Sequence, residues 1–112
     1  MRDDRQRLED MLEAIENIER YINSESDSQL LADDELLNVW VIHHLQTIGE
    51  AASRLSDTFR ENHPEVAWGG MIGMRHVLVH GYFETNTPLV WKVIERDLPL
   101  LKEQLTKILA KE

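Results

Sequence analysis

The chain has 112 residues, 42% of them hydrophobic, with five Gly, three Pro and no Cys. That is enough for one domain over residues 1–112 around a single core, and it excludes a disulfide scaffold and thiolate metal sites. Twelve basic against twenty-one acidic residues leave a net charge of −9, which argues against broad electrostatic attachment to nucleic acid and suits a basic protein partner.

The first ten residues carry no apolar h-region, and no run approaches the roughly 18 apolar residues of a membrane span. The expectation is a soluble, cytoplasmic protein. Over 3–22, Leu8, Met11, Leu12, Ile15, Ile18 and Ile22 recur at three- and four-residue steps, the pattern of an amphipathic helix. Its other face holds Glu9, Asp10, Glu13, Glu16 and Glu19. The polar run N-S-E-S-D-S-Q at 23–29 reads as a loop, and Asp33 and Asp34 offer an N-cap.

A long second helix is predicted from there to about Arg60. Leu37, Val41, His44, Ile48, Ala51, Leu55 and Thr58 lie on a near-heptad line flanked by Leu36, Trp40 and Phe59. Asn62-His63-Pro64 stops it, because the residue before a proline avoids the helical region. A third helix fits 68–80, with Gly81 at its C-terminal cap. Thr87-Pro88 opens a fourth, whose stripe is Val90, Ile94, Leu98, Leu101, Leu105 and Ile108. Pro99 should kink that helix near Glu95. With no alternating strand pattern and no repeat, the fold class is all-α, an up-and-down four-helix bundle.

The chemistry-bearing side chains crowd into R-H-V-L-V-H-G-Y-F at 75–83. His76 and His80 are one helical turn apart on one face, whereas Arg75 points about 140° away from His80. Gly81 ends the helix and lets Tyr82 turn back toward His80, so an Arg from a facing copy would complete the group. Arg75 can bind a phosphate bidentately and stabilise charge developing on it. His80 titrates near neutrality and can move a proton, and Tyr82 can orient either one. No carboxylate cluster for a metal accompanies them. Such a set suits metal-free cleavage of RNA, whose 2′-hydroxyl is a ready nucleophile that DNA lacks.

Plainer readings stand beside these. An Arg–His–Tyr group on a helix is often only structural, and two histidines without a third ligand make a poor metal site. His43 and His44 point about 100° apart, one inward and one at the rim, and His63 reads as exposed loop. Glu50 is either a solvated edge or a carboxylate that pairs with Arg75 or orients a histidine. Gly70 and Gly73 share a face of the third helix, for tight packing within the bundle or against a symmetry mate.

Together, I-G-E-A at 48–51, W-x-x-M-I-G-M-R at 68–75, L-V-H-G-Y-F at 78–83, and V-W with D-L-P-L-L at 90–101 resemble the HepT-like family of the HEPN superfamily, across essentially the whole chain. The family motif is R, a polar residue, three variable positions, H, any residue and Y. The resemblance implies a HEPN-like helical bundle that forms a homodimer with the motifs facing across a cleft. It implies the toxin of a two-gene toxin–antitoxin system, a metal-independent ribonuclease that needs no cofactor. By position, Arg75 and His80 become catalytic, and His76, Tyr82 and Glu50 supporting. The implied partners are substrate RNA and an MntA-like minimal nucleotidyltransferase, which silences the toxin by adenylylating Tyr82 and can join it in a larger hetero-oligomer. His76 departs from the usual Asn and adds a titratable group. Ala67-Trp68-Gly69-Gly70 replaces a Pro-Trp start to the third helix. The rival from another class is a non-catalytic helical interaction module that binds a nucleotidyltransferase or a nucleotide.

Overall fold

A computed structural model describes residues 3–22, 31, 33–79 and 87–111. The described residues form an all-α bundle measuring 41 × 27 × 24 Å. Helix α1 spans Asp4–Tyr21 and starts from a capping box. The Asp3 carboxylate accepts from the Gln6 N–H at 2.8 Å, and Gln6 accepts in return from the Asp3 N–H. Two of the helix's orphan donors are thereby satisfied. Leu8, Met11, Ile15, Ile18 and Ile22 are buried as the periodicity predicts, and Ala14 joins them.

Helix α2, Glu35–Ser53, is capped by Asp34, which accepts from the Leu37 N–H at 3.1 Å. It ends well before Arg60, so the long second helix of the sequence pattern is in fact two. Arg54 and Leu55 break the run, and Ser56 caps a short helix α3, Asp57–Asn62, by accepting from the Phe59 N–H at 3.1 Å. Asp4 of α1 fixes the break, because its carboxylate takes the Ser56 N–H at 2.8 Å and the Ser56 hydroxyl at 2.7 Å. Leu55 stays buried, but Thr58 falls on the new helix and is exposed, as is Leu36 at 83%.

His63 is not a free loop residue. Its ring lies tilted against that of Phe59 with centroids 4.5 Å apart, and its carbonyl accepts from the Trp68 indole N–H at 2.9 Å. Trp68 is buried at the start of helix α4, Trp68–Val79. The predicted Gly81 cap lies outside the described residues. Helix α5, Thr87–Lys92, passes through a π-helical turn, Val93–Asp97, into helix α6, Leu98–Lys111. The π turn is the form the expected kink takes. Pro99 has no N–H to give the Glu95 carbonyl and its ring crowds that carbonyl, so the ladder widens just before it, and the Leu98 N–H bonds back to Val93. All six residues of the predicted stripe are buried, and the turn adds Val93.

In the packing, α2 contacts both α1 and α4, and α6 contacts α1. Gly69 and Gly73 have nothing within 4 Å of where a Cβ would sit, and Gly70 has only the Ala67 Cβ at 3.8 Å. Tight packing inside the bundle is therefore not their role. The close backbone approach occurs instead at Gly49 of α2. Among the described residues, no helix is long and apolar enough to cross a membrane.

Candidate functional site

The geometry of the site follows from the crossing of α2 and α4. Trp68, Met71, Ile72 and Arg75 recur at three- and four-residue steps and so share one face of α4. Trp68 is buried, and Met71 and Ile72 pack on the core from its edge. Arg75 stands on this same face, half-buried, in the last turns of the helix. His76, one position on, is exposed. The stem of Arg75 thus belongs to the α2 contact.

On the opposing helix, Gly49 is buried and followed by the small buried residues Ala51 and Ala52. A Cβ at Gly49 would lie 2.5 Å from the Arg75 Cβ and 2.8 Å from the Met71 carbonyl oxygen. Glu50, next in sequence, is engaged by its own helix, with its carboxylate 3.1 Å from the Arg54 guanidinium in a half-exposed pair. Among the described residues, no carboxylate forms an ion pair with Arg75. His80 and Tyr82, the other two members of the expected set, lie outside the described residues.

Sequence reasoning singled out Glu50 in I-G-E-A and passed over Gly49. The signal was present, because a glycine in the middle of a 19-residue helix costs about 1 kcal/mol relative to Ala and calls for a reason.

A second group of titratable side chains lies across α1 and α2. The Trp40 ring meets Tyr21 edge-on at 5.4 Å and His44 at 4.5 Å, and the His44 ring lies 5.5 Å from His43. His44 is half-buried and His43 exposed, one inward and one at the rim as expected. Burial, reinforced by the charge of His43, lowers the His44 pKa below 6.5, and Glu13 opposes the shift.

A groove of about 450 Å³ between α4 and the α5–α6 segment is apolar, with Leu45 and Ile48 of α2, Met71 and Met74 of α4, and Val93 and Leu101 among its walls. Among the described members of the expected set, neither Arg75 nor His76 lines it. Among the described residues, no three His, Asp or Glu side chains converge as a set for a metal ion.

Comparison with known proteins places the chain. The ribonuclease HepT-like family model matches residues 11–108. A Thermococcus cleftensis protein named probable ribonuclease HepT is 37% identical over 101 residues, which is 90% of this chain and 91% of that one. A protein of Caldanaerobacter subterraneus subsp. tengcongensis that carries a provisional RNase designation is 35% identical over 112 residues, 100% of this chain and 99% of the relative. A similarly designated protein of Methanocaldococcus jannaschii is 32% identical over 98 residues, 88% and 89% of the two chains. No solved structure matches. The chain belongs to the ribonuclease HepT-like family.

Proposed function

We propose that this HepT-like chain is a metal-independent endoribonuclease, the toxin of a two-gene toxin–antitoxin system, with a site completed between two copies. The observation that carries the reading is the seat of Arg75, half-buried on the α2-facing side of α4 and unmatched by a carboxylate among the described residues. A guanidinium held by its stem and not neutralised by any described carboxylate is ready to take a phosphate.

In the proposed reaction the RNA 2′-oxygen attacks the adjacent phosphorus and loses its proton to a general base. The 5′-oxygen leaves and receives a proton from a general acid. His80 serves as acid or base, and a facing copy supplies a second His80 for the complementary role. Arg75 stabilises the charge that builds on the phosphoryl oxygens. His76 and Tyr82 orient the pair, and Glu50, paired with Arg54, has a supporting part. Pairing two copies also gathers two Arg75 side chains at one cleft, a local positive site on a chain of net charge −9.

Control would come from an MntA-like nucleotidyltransferase. The Tyr82 hydroxyl attacks the α-phosphate of ATP, pyrophosphate leaves, and the AMP now bonded to Tyr82 places bulk and negative charge beside Arg75. Purified protein is incubated with RNA under metal-free conditions alongside His80→Ala. Cleavage by the wild type and its loss in the variant support the reading. Equal outcomes for the two proteins would leave a non-catalytic interaction module instead. Intact mass after co-expression with the neighbouring nucleotidyltransferase should show added adenylyl units that Tyr82→Phe abolishes.

A further inference from the structure

Gly49 makes the tightest approach of any described glycine, and what it approaches is the start of the Arg75 side chain. A Cβ there would stand 2.5 Å from the Arg75 Cβ and 2.8 Å from the Met71 carbonyl oxygen. Neither neighbour is the far end of a flexible side chain. One is fixed to the α4 backbone and the other is that backbone. Carbon atoms in ordinary contact lie about 3.5–4.0 Å apart, so a methyl group at 49 must push the Arg75 stem back by about 1 Å or more. Gly69 and Gly73 have nothing within 4 Å, so the demand for glycine belongs to this one register of the crossing.

We infer that Gly49 is a positioning residue for Arg75: its missing side chain lets α4 settle onto α2 at the height that fixes where the guanidinium starts. The inference rests on the catalytic reading of Arg75. A displacement of about 1 Å in a group that must meet a reacting phosphate costs on the order of 10²-fold in rate. Gly49→Ala should therefore lose cleavage out of proportion to any loss of fold. Gly49 touches neither RNA nor the reacting atoms in this account, and it acts only through the stem of Arg75.

The test is a cycle of full-length variants: Gly49→Ala, Arg75→Ala, the double Gly49→Ala/Arg75→Ala, and Gly49→Ala/Arg75→Gly. Each is assayed for cleavage of a labelled RNA and for thermal unfolding beside the wild type, and the Arg75 Nε–H resonance, assigned by its loss in Arg75→Ala, is compared between wild type and Gly49→Ala in ¹⁵N spectra. Alanine at 75 keeps the Cβ that crowds residue 49 but removes the guanidinium. A positioning role therefore predicts on the order of 10²-fold loss from Gly49→Ala in the wild type, less than about twofold further loss on the Arg75→Ala background, and a shifted Arg75 resonance. An equal fold-loss on both backgrounds, or an unmoved resonance, overturns it.

If Gly49→Ala fails to fold, Gly49→Ala/Arg75→Gly decides, since glycine at 75 removes the closest contact. Because the Met71 carbonyl contact remains, partial recovery of cooperative unfolding supports the inference, and no recovery overturns it. If the wild type cleaves no RNA, the ribonuclease reading fails, while the resonance and the melting cycle still decide whether Gly49 sets the place of Arg75.

Discussion

Ser56→Ala should unfasten the break between α2 and α3 at a cost that the structure allows to be worked out. The hydroxyl accepts from the Phe59 N–H at 3.1 Å and donates to the Asp4 carboxylate at 2.7 Å. Loss of the N-cap costs about 1 kcal/mol. The bond to Asp4 is charge-assisted but exposed, so it contributes about 1 kcal/mol and no more. The sum is about 2 kcal/mol. With an unfolding entropy of about 2.1 cal/mol/K per residue, 112 residues give about 235 cal/mol/K, so Tm should fall by about 8 °C. Asp4→Ala leaves the cap but removes both contacts across 52 residues, and the double variant should lose less than the two single losses added together. Calorimetry or urea unfolding of the four proteins reads this directly. A Tm within about 2 °C of wild type for Ser56→Ala, or strict additivity in the cycle, would show that the tie contributes nothing and that the helix break has another cause.

Stability should also depend on pH through His44. Because its folded pKa is lowered, the unfolded chain binds the proton more readily, so stability is full above about pH 6.5 and is lost as pH falls below it. Unfolding curves at pH 7.5 and pH 5.5 should show a smaller acid loss for His44→Phe than for wild type, and equal losses would refute the assignment. Gly73→Ala, with open space around the new methyl, should stabilise the chain by about 0.5–1 kcal/mol in urea titrations; a loss contradicts an open face. Leu105→Ala, fully buried in α6, should cost about 2–5 kcal/mol. Leu36→Ala, at 83% exposure, should stay within about 0.5 kcal/mol, and comparable losses would contradict the burial pattern.

How far the sequence could be read depends on where each signal resides. The stripes of α1 and α5–α6 were legible because one face is buried along the whole length, so periodicity alone reports it. Pro99 announced a distortion, though not that it would be a π turn. The end of α2 was not legible, since Leu55 continues the hydrophobic line and Ser56 becomes a cap only through Asp4, 52 residues away. The glycines misled in a similar way. Gly70 and Gly73 catch the eye as a pair, yet the glycine that a neighbouring helix requires is Gly49, and its reason is a contact with α4 that no local pattern encodes. Arg75 could be nominated from its chemistry, but that its stem lies within the α2 contact could be learned only from packing.

In the proposed reaction RNA is cleaved by its own 2′-hydroxyl without a metal ion. The most direct measurement incubates the purified chain, in excess chelator, with a labelled RNA, with the same strand as DNA, and with the RNA carrying one 2′-deoxynucleotide at the cut position. The RNA should be cut to a 2′,3′-cyclic phosphate and a 5′-hydroxyl at an unchanged rate in chelator, the DNA should stay intact, and the deoxy substitution should abolish that cut. Activity that chelator removes, or DNA cut as readily as RNA, would contradict it.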